Sequence, residues 1–236
     1  MRRYITVICC ILVLVVYILV AVCTEMTVSV IAENKTAELK KTIVIDAGHG
    51  GEDGGAISCT GALESEINLE ISLRLKDLLN LLGYRTILTR LDDCSIHTNG
   101  ETIAQRKVSD LNNRVNLVNS TENALLLSIH QNYFADNRYL GAQVFYANTT
   151  GSHCLAESIQ NCFRNTINQG SNRMAKKAEN IFIMDKIDCD GVLIECGFLS
   201  NYQEDALLRN AEYQKKVSTV IASAVSVYLC DSPLPA

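Results

Sequence analysis

The sequence predicts an α/β fold: a single domain on a twisted, mostly parallel mixed sheet with helices on both faces, preceded by an N-terminal transmembrane or signal segment. Short apolar runs at Thr42 to Ile45, Ala124 to His130 and Val192 to Glu195 have the length and composition of buried strands. Stretches of helical length and period separate them, the alternation that builds parallel sheets. Ahead of both, Arg2 and Arg3 precede an apolar run of about 20 residues, Tyr4 to Cys23, long enough to cross a bilayer at about 1.5 Å per residue.

The positive flank of that run stays cytoplasmic, so the remainder is expected to be exported, either membrane-anchored on the outer face of the cytoplasmic membrane or secreted to the wall. A signal peptide has an apolar core of about 7 to 15 residues. The longer run here favours a retained anchor, while Ala21 to Cys23 and Val30 to Ala32 offer sites for a cut, and both outcomes stand open. Val22 is bulky where a small residue should precede a lipidated cysteine, which argues against lipid on Cys23. The expected organisation is residues 1–23 as anchor or signal, 24–40 as a polar tether, 41–230 as the folded domain and 231–236 as a disordered tail.

Charge narrows the partners. Of 21 Lys and Arg, removing Arg2 and Arg3 leaves 19 against 26 Asp and Glu, a balance of −7 outside the membrane, which excludes nucleic acid as the expected partner. Ten cysteines do not make a disulfide framework. Three lie in the apolar run, and the seven others cannot all pair. No Cys-x-x-Cys occurs, so a cysteine zinc site is not expected, and Cys162 and Cys196 read as small buried apolar residues.

Along the domain, Thr42 to Ile45 is the first strand, breaking into glycines around His49. Glu64 to Leu82 alternates in part like a strand, but Ile67, Ile71, Leu75, Leu78 and Leu82 keep helical spacing and Gly83 supplies a stop. Tyr84 to Thr89 reads as the next strand, Leu91 to Ser109 as a long polar loop with His97 exposed, and Leu111, Val115 and Val118 as a helix face. Gly141 to Ala147 alternates as a strand, Leu155 to Ile167 marks a helix, Ser171 to Glu179 is polar and basic, and Asn180 to Met184 reads as a strand. Gly197 suggests a tight turn, Asn201 to Glu204 a capping box, and Val217 to Leu229 a final amphipathic helix.

Function is expected where the strands end, because open α/β sheets place their chemistry at the carboxyl edge. His49, His130 and Glu195 each follow an apolar strand, so parallel neighbours bring them to one rim. Two imidazoles suit zinc, and a catalytic zinc takes three protein ligands and keeps one position open. Glu64, fifteen residues after His49, is the best third ligand. Alone, His49 would read as a loop histidine and Glu64 as a helix-start carboxylate favoured by the helix dipole.

Together these residues resemble the zinc-dependent N-acetylmuramoyl-L-alanine amidases with a type-3 amidase domain, over about Thr42 to Leu229. The resemblance rests on the Asp46 to Gly51 run, Glu64 with Asn68 and Leu69, Thr89 with Arg90, Ser128 to Asn132, and Glu195 to Asn201. It implies Zn2+ held by His49, Glu64 and His130, with Glu195 as the catalytic carboxylate. It also implies peptidoglycan glycan strands with stem peptides as substrate, cut at the amide between N-acetylmuramic acid and L-alanine. Asn132 and Arg114 are implied substrate contacts, although a helix-surface ion pair is the ordinary reading of Arg114. Two departures stand out: Tyr133 where the family often has a small residue, and Asp190 where many relatives carry proline.

The size and the N-terminal segment look most like the germination-specific amidases of endospore formers, implying cortex maturation with muramic lactam formation. Vegetative wall turnover or cell separation, a zinc peptidase on the stem, and a non-catalytic wall-binding protein are the alternatives, and an activator protein is a possible partner. The basic stretch from Ser171 to Glu179 is placed to meet stem-peptide carboxylates if it is not merely a solvated loop.

Overall fold

The computed structural model describes Tyr17 and residues 41–231. The apolar run, the tether and the expected tail therefore lie outside the described residues, apart from Tyr17 and Asp231. Among the described residues no helix is long and apolar enough to cross a membrane.

Six strands form one sheet in the order β2-β1-β3-β6-β4-β5: β1 (Thr42–Ala47), β2 (Arg85–Leu88), β3 (Ala124–Asn132), β4 (Gln143–Tyr146), β5 (Lys176–Lys177) and β6 (Asp190–Phe198). β1, β2, β3 and β6 run parallel, and β4 is antiparallel to β6. The central strands are buried on both faces, which is why they read as unbroken apolar runs. On one face Ile43, Ile45, Leu125, Leu127 and Ile194 pack under α1 (Glu64–Leu81), α3 (Ser152–Asn165) and α6 (Ala211–Asp231). On the other, Val44, Leu126 and Leu193 meet Val115 and Val118 of α2 (Ile103–Ser120) and Ile183 and Met184 of α4 (Phe182–Lys186). A short α5 (Tyr202–Leu208) precedes α6.

α1 ends as expected. Leu82 closes the helix, Gly83 takes φ +85°, and the Tyr84 N–H bonds back to the Leu79 carbonyl. Ile71, Leu75 and Leu79 are fully buried, so truncating any of them to alanine costs about 2–5 kcal/mol.

Four expectations need correction. α2 begins at Ile103, inside the expected loop, because Thr102 and Gln105 form a reciprocal capping box. Asn180 to Met184 is not a strand: Asn180 sits at φ 59°, which breaks extension, and Ile183 and Met184 bury on one side of the single helical turn α4. The edge strand is instead β5 in the basic stretch, where exposed Lys176 and Lys177 guard the sheet edge. Gly197 lies within β6, leaving room for Leu208 and Glu204 rather than turning the chain.

Asn201 caps α5 through the Gln203 and Glu204 N–H groups, but Glu204 does not reach back. It accepts from the Phe198 and Gly141 N–H groups, tying β6 to the start of β4. All seven described cysteines are free. Cys196 is fully buried and Cys162 partly so.

Candidate metal centre and active site

The register delivers the functional side chains together. β1 pairs with β3 through Asp46 and Ser128, and β3 with β6 through His130 and Glu195, so the carboxyl ends of three parallel strands share one rim. After β1 the chain turns through Gly48, and His49 adopts φ 60°, a left-handed conformation that costs a non-glycine residue free energy. Gly48 is required there, because a Cβ would run into the His130 imidazole. Gly55, at φ +70°, faces the same restriction from Glu64 Oε2, which its Cβ would meet at 2.6 Å.

Glu64 opens α1 and lies between the two histidines, with Oε2 3.3 Å from His49 Nε2 and Oε1 3.0 Å from His130 Nδ1. Its oxygens also accept from the Ala56 N–H (2.9 Å), the Gln131 N–H (3.1 Å) and Asn68 Nδ2 (3.2 Å). Burial opposes its ionisation, but the hydrogen bonds and charges of His130 and His49 outweigh that and hold its carboxyl well below the usual range. On the far side of His49, Nδ1 lies 2.9 Å from Asp53 Oδ2, which Lys107 also meets at 3.0 Å. Burial disfavours the His49 imidazolium, yet the Asp53 and Glu64 hydrogen bonds prevail and push its pKa up to about 9.

One ligand atom each from His49, Glu64 and His130 lies within 4.8 Å of the other two. The donor set fits a catalytic zinc: two imidazoles, one ionised carboxylate, and a carboxylate orienting a ligand histidine. Glu195 supplies the complementary observation. Its Oε2 is buried with no hydrogen-bond partner, a costly state for a carboxylate. Burial, partly offset by His130 and reinforced by Glu64, pushes its pKa up to about 7.

Arg114 is neither on the helix surface nor open to substrate. It is 2% exposed, pairs with Asp46 (2.6 Å) and Asp110 (2.7 Å), and donates to the Ala47 and His49 carbonyls. A cation in the middle of α2 is buried because the end of β1 presents a buried carboxylate and bare carbonyls to it. Asp46 also accepts from Thr89 and Ser128, while Arg90 binds the Ala47, Gly48 and Ser65 carbonyls. These residues hold the turn that carries His49.

Asn132 ends β3 half-buried, its carbonyl taking the Leu199 N–H. The following Tyr133 is 54% exposed. Asp190 starts β6 and accepts from the Gly151 N–H and the Tyr228 hydroxyl, so the proline expected there is replaced by a cross-link to α3 and α6. His97, expected on the surface, is half-buried against Ser95, and His153 is exposed. Asp53 was legible only as a carboxylate four residues after His49, and its role depends on the loop geometry.

Residues 43–227 match the family Amidase_3, N-acetylmuramoyl-L-alanine amidase. The germination-specific N-acetylmuramoyl-L-alanine amidase of Bacillus subtilis is 36% identical over 197 residues, covering 83% of this chain and 82% of that protein. The CwlD amidase from Clostridioides difficile, solved in complex with the GerS lipoprotein, is 36% identical with a TM-score of 0.79, covering 82% of this chain and all of that one. An N-acetylmuramoyl-L-alanine amidase from Clostridium difficile 630 superposes with a TM-score of 0.72 at 28% identity, over 82% of this chain and 99% of its own. With a match that starts in β1, ends in α6 and takes in the whole rim between them, the chain belongs to the N-acetylmuramoyl-L-alanine amidase family.

Proposed function

We propose that this amidase is a zinc enzyme of the exported cell wall, held at the membrane or released from it, that cuts N-acetylmuramic acid from L-alanine in spore-cortex peptidoglycan. The observation that carries the reading is the pairing of His130 with Glu195 across β3 and β6, which sets a buried, unpartnered carboxylate beside a three-ligand cluster.

His49, Glu64 and His130 would hold the ion, Asp53 fixing the His49 ring so that Nε2 faces Glu64. Zinc, when bound, polarises the scissile carbonyl and acidifies a water molecule. Glu195 accepts the proton of the attacking water and passes it to the alanine nitrogen as the C–N bond breaks. The products are a lactyl carboxylate and a free amine. A carboxyl with a pKa near 7 can both take up and give back a proton around neutral pH. Asn132, at the end of β3, is the proposed polar contact for the substrate. Arg114, being buried, has no such part.

The cortex role draws on the name of the Bacillus relative, and a lipoprotein partner is proposed because the Clostridioides neighbour was solved in complex with a lipoprotein. Export follows from Arg2, Arg3 and the apolar run. The test is digestion of vegetative and cortex peptidoglycan by the detergent-solubilised full chain, with products identified by mass spectrometry. Intact stem peptides with a free L-alanine amine should appear, and should be lost on chelation and in Glu195→Ala. Cleavage inside the stem would replace this reading with a peptidase, and zinc-loaded protein that cuts neither wall with or without a lipoprotein would replace it with wall binding.

A further inference from the structure

One strand from the rim, a cavity of about 930 Å³ opens between the start of β4, the 167–174 loop and the start of α5, lined among others by Gln143, Arg173, Lys176 and Glu204. Strand pairing links it to the Glu195 rim, none of whose cluster residues line it. Gln143 of β4 is the direct antiparallel partner of Glu195, and residues directly opposite in such a pair send side chains to the same face, with Cβ atoms about 5 Å apart. The Gln143 side chain is buried, 2% exposed, and its Oε1 accepts from Arg173 Nη1 at 3.4 Å. Arg173 thus stands on the Glu195 face of the sheet, one side chain beyond the neighbouring strand.

The guanidinium is held in place without a direct ion pair, the Glu204 carboxylate acting on it only at longer range. Nε donates to the Leu140 carbonyl at 3.1 Å, and the Arg173 Cζ lies 5.0 Å from the centroid of the Phe198 ring, a cation–π support for a fixed orientation. Among the described residues no carboxylate lies within 4.0 Å of it and Nη2 makes no hydrogen bond. Glu204, the acidic side chain in the lining, already has its two oxygens on the Phe198 and Gly141 N–H groups. Arg138, also in the lining, is paired with Asp136. A half-buried, oriented, unpaired guanidinium is the group that recognises a carboxylate in a planar, two-bond geometry.

We propose that Arg173 sets substrate specificity by binding the free α-carboxylate of the second stem-peptide residue. This rests on the amidase reading above. In a stem where that residue is glutamate joined onward through its side chain, the α-carboxylate is left free, two residues along from the scissile carbonyl. Two extended residues span at most about 7 Å, more than one strand spacing of about 4.8 Å, so a stem leaving the Glu195 rim passes across β6 towards the Arg173 side of β4. The cavity therefore takes the peptide half of the substrate, and Arg173 distinguishes a carboxylate from the uncharged carboxamide found when that position is amidated. A structural role for Arg173 would not depend on the charge of the substrate.

The test compares two peptidoglycan preparations identical except for a carboxylate or a carboxamide at that position. The detergent-solubilised full chain is assayed for release of stem peptides with a free alanine amine, alongside Arg173→Gln and Arg173→Lys. The wild type should favour the carboxylate form by about 10- to 100-fold in kcat/KM, the range for a hydrogen-bonded charge pair. Arg173→Gln should lose that preference by slowing on the carboxylate form only, and Arg173→Lys should restore part of it. Equal rates of the wild type on both forms, or a preference that survives in Arg173→Gln, would overturn the proposal while leaving the amidase reading intact. Failure to release alanine-terminated peptides from either form would overturn both.

Discussion

Replacing Glu195 with glutamine should abolish activity and stabilise the metal-free fold, two effects that rarely coincide unless a residue is kept for chemistry. The Glu195 carboxyl has an ordinary pKa of 4.5 and is pushed up to about 7 by burial. A raised carboxyl pKa means that the folded state resists the charge. The cost is absent below pH 4.5, grows between 4.5 and about 7, and is complete above. That gap corresponds to about 3 kcal/mol at pH 8. Glutamine carries no charge but remains a buried amide next to an orphaned position, which returns about 1–2 kcal/mol of the gain. The net of about 1–2 kcal/mol raises the melting temperature by roughly 2–8 °C in a domain of this size. Thermal melts of chelated Glu195→Gln and wild type at pH 4 and pH 8 measure it: in acid, where Glu195 is neutral, the variant should melt slightly below the wild type by its amide cost, and in base the order should reverse. Loss of a general base lowers kcat by about 10²- to 10⁴-fold, read by peptide release with zinc present. A variant that melts below the wild type at pH 8, or that keeps a tenth of its activity, would refute the assignment.

Arg114→Met should be among the most damaging single changes, since it removes the cation that neutralises buried Asp46 and Asp110 and leaves the His49 carbonyl without this donor, while Ala47 keeps only Arg90. A loss of about 3–5 kcal/mol is expected in denaturant unfolding, and one under about 1 kcal/mol would show that the pair network contributes little. Gly48→Ala should preserve the circular dichroism spectrum but weaken zinc binding at least about tenfold, because the new methyl displaces the His130 ring; unchanged affinity in a zinc titration would contradict the close approach. His49 holds a proton below about pH 9 in the metal-free chain, so zinc must displace it. Zinc affinity should fall by up to about tenfold for each pH unit below 9, and a flat profile between pH 6 and 8 would contradict the Asp53–His49 arrangement.

The elements that carry the candidate site residues were legible because their signals are local. Apolar runs with a histidine or glutamate at the end announce both a buried strand and the rim it reaches, and the register then does the rest by pairing His130 with Glu195. What sequence could not show were relations decided at long range. Asn180 to Met184 has a strand's composition, yet φ 59° at Asn180 and the two-residue burial of Ile183 and Met184 make a helical turn the better fit. Arg114 has the spacing of an i,i+4 surface pair with Asp110, and nothing near it in the chain reveals Asp46, 68 residues earlier, which takes the other side of the guanidinium. That second carboxylate changes the physical role of the residue. An exposed Arg–Asp pair contributes almost nothing, whereas a buried cation between two carboxylates and two backbone carbonyls must be matched at every donor or the interior does not tolerate it. The end of β1 is therefore held against α2 by polar bonds, which lets the strained turn at His49 remain in place beside the rim that carries the candidate metal ligands.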